Sequence, residues 1–257
     1  MTPRAYQIDK HEEHMKHTTL ITGSNGGIGL VVAEHLLAKG ARSLAFQYRS
    51  SSDKIAECLK RFDLDPAKHL FKADLCSEGD VASLRGSIEA NLGPVWGLVN
   101  IAGGSSNSLS WKTPLAEFRK VVDDNLTSTF LASREFIPGM RAMESGRIIN
   151  ISSVVASTGA PGAAHYCAAK GAVASYTKAL SLELAPKKIT ANTIALGYFQ
   201  YGLIDQVNEQ LQAEIKERIP LKRFGLGSEV GGLIKYLLSD ESAFITGQII
   251  HLNGGLF

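Results

Sequence analysis

The chain has few of the features that mark secreted, membrane-bound or polyanion-binding proteins. It has only three cysteines among 257 residues, Cys58, Cys76 and Cys167. They are far apart, odd in number and form no CxxC pair, which argues against a disulfide framework or a zinc site. No uninterrupted apolar run approaches the roughly 18 residues of a membrane span, so no membrane-crossing helix is expected. The opening MTPRAYQIDKHEEHMKH lacks the apolar centre of a signal peptide. Its histidines His11, His14 and His17 miss a metal motif, because Met15 stands where HExxH needs its second histidine. Residues 1–17 therefore read as a polar arm. Excess charge is also lacking: the formal net charge is +2, and no basic stripe is interleaved with aromatics. Nucleic acid is excluded as a partner on that basis. A cytoplasmic location is the expectation.

What the chain does have is a core and a rhythm. Hydrophobic residues make up 44% of it. Short apolar runs at 18–22, 43–48, 69–73, 95–100, 146–152, 189–195 and 248–253 read as strands. Helical patterns at 27–39, 53–64, 77–91, 114–143 and 165–184 fall between them. Strands that are near-continuous Val/Ile/Leu runs, alternating with helices, imply right-handed crossovers and a parallel sheet covered on both faces. The expected fold is α/β: one Rossmann-like, doubly wound domain over 18–257. The stretch 197–227 breaks the rhythm before the last helix. It lies at the carboxyl edge of the sheet, where open α/β folds bind ligands, and reads as a substrate lid, with a surface helix pair as its other reading.

Glycine is the residue in excess, at 25 of 257 against a usual share of roughly 7%. The stretch TGSNGGIG follows the first strand and opens the first helix. Free N–H groups and the helix dipole there attract an anion, and glycine removes the Cβ that would hold a pyrophosphate away. Gly23, Ser24, Asn25, Gly27, Ile28 and Gly29 are thus candidates for a dinucleotide phosphate loop. An NAD-binding fold places an acid about 20 residues later. Here the second strand ends FQYR, with no acid at Gln47 or Tyr48. Arg49 follows, and a guanidinium binds a 2′-phosphate that a carboxylate would repel. The expected cofactor is therefore NADP. Asp74 and Leu75, in ADL, are candidates to flank the adenine.

The chemical group sits in IINISSVVASTGAPGAAHYCAAKGAVASYTKAL. Tyr166 and Lys170 are four apart and share a helix face. Ser153 lies thirteen residues before Tyr166, at a strand end, with Ser152 as the competing serine. A Lys cation about 5 Å away at an effective dielectric of about 20 would stabilise a phenolate by roughly 3 kcal/mol, or about two pKa units. Tyr166 is expected to drop toward neutrality, with desolvation opposing.

Together TGSNGGIG, ADL, NIAG, Asn125, Ser153, YCAAK and ITGQIIHLNGG resemble the short-chain dehydrogenase/reductase family from Thr18 to Gly255. The resemblance implies a seven-stranded parallel sheet and gives the residues roles. Tyr166 is the acid/base, and Lys170 lowers its pKa and holds the nicotinamide ribose. Ser153 bonds the substrate oxygen, and Asn125 anchors a water relay to Lys170. Asn100, Ala102 and Gly103 form the NIAG turn beside the cofactor; Asn100 has sheet stabilisation as its other reading. Gly197 and Phe199 contact the nicotinamide end.

Within the family, the C-terminal part looks most like 3-oxoacyl-acyl-carrier-protein reductases. That implies NADPH, a ketone carried as a small molecule or on acyl carrier protein, and a homotetramer. Other ketones (quinones, steroids, sugars) and a non-catalytic NADP-binding regulator are the alternatives. Three departures stand out. In LGYFQY, Leu196 replaces a proline and Tyr201 a threonine. Gly26 stands where a basic residue often assists NADP binding. Met143, Glu144 and Ser145 replace basic residues expected to meet an acidic carrier, leaving Lys187 and Lys188.

Overall fold

The computed structural model describes residues 17–202, 204 and 208–257. Residues 1–16 of the polar arm, and part of the 197–227 stretch, lie outside the described residues. Seven strands form one sheet: β1 (Thr18–Ile21), β2 (Leu44–Tyr48), β3 (Leu70–Lys72), β4 (Val95–Asn100), β5 (Gly146–Ser153), β6 (Ile189–Leu196) and β7 (Ile249–Leu252). Their order is β3-β2-β1-β4-β5-β6-β7, and every pairing is parallel. This is the doubly wound Rossmann-like sheet expected from the alternating pattern.

Buried strands explain the run-like sequences. β4, VWGLVN, and β6, ITANTIAL, are buried along their whole length. Successive residues serve opposite faces. Ile21, Val99 and Ile149 join the core on the side of α1 (Gly27–Ala38) and α2 (Asp53–Arg61). Leu20, Leu98 and Ile148 join the core on the opposite side. There they meet residues that lie, after the single turn α3 (Pro66–His69), on α4 (Glu78–Leu92) and further along the chain.

The region expected as one helix over 114–143 has three parts. α5 (Leu115–Val122) runs into a π-helical turn, Asp123–Thr127, and then into α6 (Ser128–Met143). The short α7 (Val155–Thr158) precedes α8 (Ala164–Leu184). β6 runs one residue beyond expectation, to Leu196, which stays in register with Ser153 on one side and Leu252 on the other. A proline there would remove a backbone donor; leucine does not.

After β6 come α9 (Glu209–Arg218), which buries no residue, and α10 (Gly227–Leu237). Val230, Ile234 and Leu237 on α10 pack into the core shared with α1. The described part of 197–227 has its own small apolar cluster, Ile204, Ile219 and Phe224. Strand order reverses between β1 and β4, so a crevice opens at the carboxyl ends of these strands.

Candidate active site

The glycine stretch leaves β1 and is pinned by a buried side chain. Gln47 accepts from the Gly23 N–H at 2.9 Å through Oε1 and donates Nε2 to the Ala73 carbonyl at 2.8 Å. Ser24 turns inward, its N–H and Oγ both donating to the Gln47 carbonyl. Asn25 accepts from the Ile55 N–H and so caps the first turn of α2.

The glycines answer first to the protein's own backbone. Gly23 has φ +63°, and a Cβ there would lie 2.8 Å from Ala102 Cα. A Cβ on Gly27 would lie 2.5 Å from the Gly202 nitrogen. The close approach expected of a bound phosphate is thus already made by neighbouring chain. The fit to a dinucleotide rests elsewhere. The N-cap of α1, Gly26, supplies no side-chain cap, so among the described residues the first-turn N–H groups are left for a phosphate.

The NIAG turn hangs from β1. Thr22 Oγ1 accepts from the Ile101 and Ala102 N–H groups at 3.0 and 3.1 Å. Neither Thr22 nor Gln47 stood among the expected site residues; a buried polar residue beside a glycine loop was the available signal for both.

A cleft of about 800 Å³ runs along this edge. Gly23, Asn25, Gly27, Ile28, Gly29, Arg49, Leu75, Ala102, Gly103, Asn125, Ser153, Tyr166, Lys170, Gly197 and Phe199 border it. Ser24, Asp74 and Asn100 stand outside this wall. Ser24 is fully buried under the loop. Asp74 accepts from the Cys76 N–H. Asn100 donates to Asn150 Oδ1 at 2.8 Å inside the sheet, which is the stabilising role that its sequence context allowed.

At the centre, Ser153 hydrogen-bonds the Tyr166 hydroxyl. Ser152 instead donates to the Lys170 carbonyl at 2.8 Å, which ties β5 to α8. Lys170 is buried; its Nζ lies 5.8 Å from the Tyr166 ring centroid and donates to the Ile151 carbonyl at 2.9 Å. The expected drop of Tyr166 toward neutrality is not found. Burial pushes its hydroxyl up to about 12, against the lowering effect of the Ser153 hydrogen bond. Burial also pushes Lys170 down to about 8. The ammonium addresses the ring face and a backbone carbonyl, and desolvation wins on both groups.

Asn125 occupies the π turn, a local form that often marks functional positions. Its Nδ2 donates to the Gly104 and Val121 carbonyls at 2.7 and 2.8 Å, and its buried Oδ1 has no hydrogen-bond partner among the described residues. Gly103 leaves room for this atom: a Cβ there would lie 2.4 Å from Oδ1 and 3.3 Å from Lys170 Nζ. Asn125 Oδ1 and Lys170 Nζ therefore border one small space that a water can satisfy.

At the far end, Tyr48, Arg49, Leu75, Cys76 and Asp124 form the wall. Burial and the surrounding acids push the Cys76 thiol up to about 11, leaving it protonated and unreactive at neutral pH.

Comparison with known proteins agrees with this layout. A family model described as enoyl-(acyl carrier protein) reductase matches residues 23–257. A nodulation protein G of Rhizobium sp. (strain N33) is 38% identical over 92% of this chain and 95% of its own length. The 3-oxoacyl-[acyl-carrier-protein] reductase FabG of Rickettsia conorii is 36% identical over 93% of this chain and 96% of its own. The protein of the same name from Haemophilus influenzae is 34% identical over 93% and 97%.

Proposed function

The chain belongs to the short-chain dehydrogenase/reductase family and is an oxidoreductase, and from that premise we propose that it reduces a 3-oxoacyl thioester to the 3-hydroxyacyl form with NADPH. The observation that carries the reading is the Ser153 hydrogen bond to the Tyr166 hydroxyl, with Lys170 buried against the same ring.

When bound, the dinucleotide supplies a hydride to the carbonyl carbon. The chain supplies the proton and the geometry. Tyr166, with its hydroxyl near 12, holds its proton at neutral pH and is ready to donate from Oη to the substrate oxygen. Ser153 Oγ, already at that hydroxyl, fixes the oxygen's position. Below about pH 8 Lys170 is an ammonium, so the phenolate left after donation forms beside a cation. A water between Lys170 Nζ and Asn125 Oδ1 then passes a proton drawn from solvent back to the Tyr166 phenolate. The α1 N-terminus holds the phosphates, and Gly197 and Phe199 close the nicotinamide end.

The acyl-carrier substrate has two supports: the relatives that carry the reductase name, and the exposed Lys188 on the surface. One observation favours a substrate without a carrier. Lys187 is paired with Glu144 at 2.7 Å, which offsets one of the two lysines available to an acidic docking partner. A small-molecule ketone is therefore the second reading.

The test is loss of NADPH absorbance with an acetoacetyl thioester, a carrier-bound thioester, and a panel of quinones, sugars and steroids. Turnover of the thioesters that disappears in Tyr166→Phe supports the first reading. Turnover confined to the panel supports the second. Tight NADPH binding without turnover on anything would mark a regulator and overturn both.

A further inference from the structure

The far end of the cleft is crossed by an ion pair. Arg49 leaves the end of β2, on one wall. Asp124 stands in the π turn before α6, on the other. Arg49 Nη1 donates to Asp124 Oδ1 at 2.9 Å, and both residues border the cleft. Lys120, one turn earlier on α5, also pairs with Asp124. The side chain of Asp124 is only 15% exposed, while that of Arg49 is 58% exposed. The acid is therefore the fixed partner, and the guanidinium is the one that must turn to meet a ligand.

We propose that Asp124 is a specificity-determining residue, which engages Arg49 across the adenosine end and so weakens discrimination in favour of a 2′-phosphorylated dinucleotide. The inference rests on the dinucleotide reading given above. A phosphate monoester brings roughly −1.5 to −2 charges at neutral pH. It has to share Arg49 with a carboxylate or displace it, and like charges that close oppose one another. Asp74 also acts on Arg49, and Asp123 adds a further acid beside the protonated Cys76 thiol. Gly26, the other position from which a cation commonly helps, has no side chain. Arg49 is thus the principal cation at this end, and it is already engaged.

The experiment measures dissociation constants of NADPH and NADH by nicotinamide fluorescence, on the full chain and on Asp124→Asn, Asp124→Ser, Arg49→Gln and the Arg49→Gln/Asp124→Asn double variant. Thermal unfolding checks the fold of each, and the serine variant stands in if the asparagine one misfolds. Releasing an exposed ion pair of about 1 kcal/mol corresponds to about fivefold. Asp124→Asn is expected to tighten NADPH about fivefold and to leave NADH within about twofold. The gain should vanish in the double variant. Weaker NADPH binding, an equal change for both nucleotides, or a gain that persists without Arg49 overturns the proposal. Failure of every variant and the parent to bind either nucleotide overturns the dinucleotide reading itself, and this inference with it.

Discussion

Burial acts on Tyr166 and Lys170 in opposite senses, and both effects are measurable. Lys170 falls from its usual 10.5 to about 8. Between about pH 8 and 10.5 the unfolded chain then binds a proton that the native chain does not, so this residue makes stability rise with pH across that window. Below pH 8 its charge is held at a cost of roughly 3 kcal/mol. Lys170→Met should raise the thermal midpoint at pH 7 and flatten that rise, while lowering ketone reduction by a factor of about 100 or more; calorimetry and steady-state rates check the pair. In the parent enzyme kcat/KM for reduction should fall as pH passes about 8 and the ammonium is lost. A limb that stays level to pH 10 would contradict the role given to Lys170. Gly26 offers a gain instead of a loss. Among the described residues its Cβ position meets the Gly23 carbonyl alone, at 3.4 Å, and its φ of −83° is open to any residue. Gly26→Arg should tighten NADPH by about tenfold at low salt, with little change for NADH, as titration would show.

The π turn is the element on which the centre depends. It seats Asn125, and carbonyls in the turn and at the end of α5 are met by side chains: Val121 by Asn125, Asp124 by Ser128, Asn125 by Thr129. Gly103 is fitted to it, so Gly103→Ala should leave the fold intact by circular dichroism yet lower turnover about 100-fold, through displacement of Asn125 Oδ1. Such a turn has no imprint in the sequence. Apolar spacing marks helix over 114–143 but not a change of hydrogen-bond step inside it. Strands were far more legible. β4, β5 and β6 are buried on both faces, and their continuous apolar runs read to within a residue. Tyr166 and Lys170 were legible because helical spacing puts them on one face. Their protonation was not, because burial depends on packing far along the chain. The glycines were legible as a loop, but which atoms crowd them was not: Ala102 and Gly202 lie about 80 and 175 residues away from Gly23 and Gly27.

At the scale of the whole molecule, several large apolar side chains stay exposed among the described residues, and two groups of them bear on assembly. One carries Trp111, Leu115 and Phe118, on and before α5. The other lies by the edge strand β7, where the Leu221 N–H donates to the Gly254 carbonyl and the His251 and Phe257 rings are 5.2 Å apart. Two separate patches suit a dihedral tetramer, which needs two kinds of isologous contact. Sedimentation should give about four times the chain mass. Leu221→Asp combined with Phe257→Asp should leave dimers, and Trp111→Asp should do the same through the other face. A monomeric parent protein would refute this arrangement.

Gln47 has a consequence for how the coenzyme preference of such a protein can drift. Its amide spans two strands and a turn, so an aspartate there would forfeit the donor to Ala73 and strand a charge in a sealed place. Tyr48, Arg49 and Gly26 stand at the rim of the cleft, where the main tie to the rest of the protein is the Arg49–Asp124 ion pair. A change of coenzyme preference is therefore easier to reach at the rim positions than at the amide beneath them, which two backbone partners hold in place.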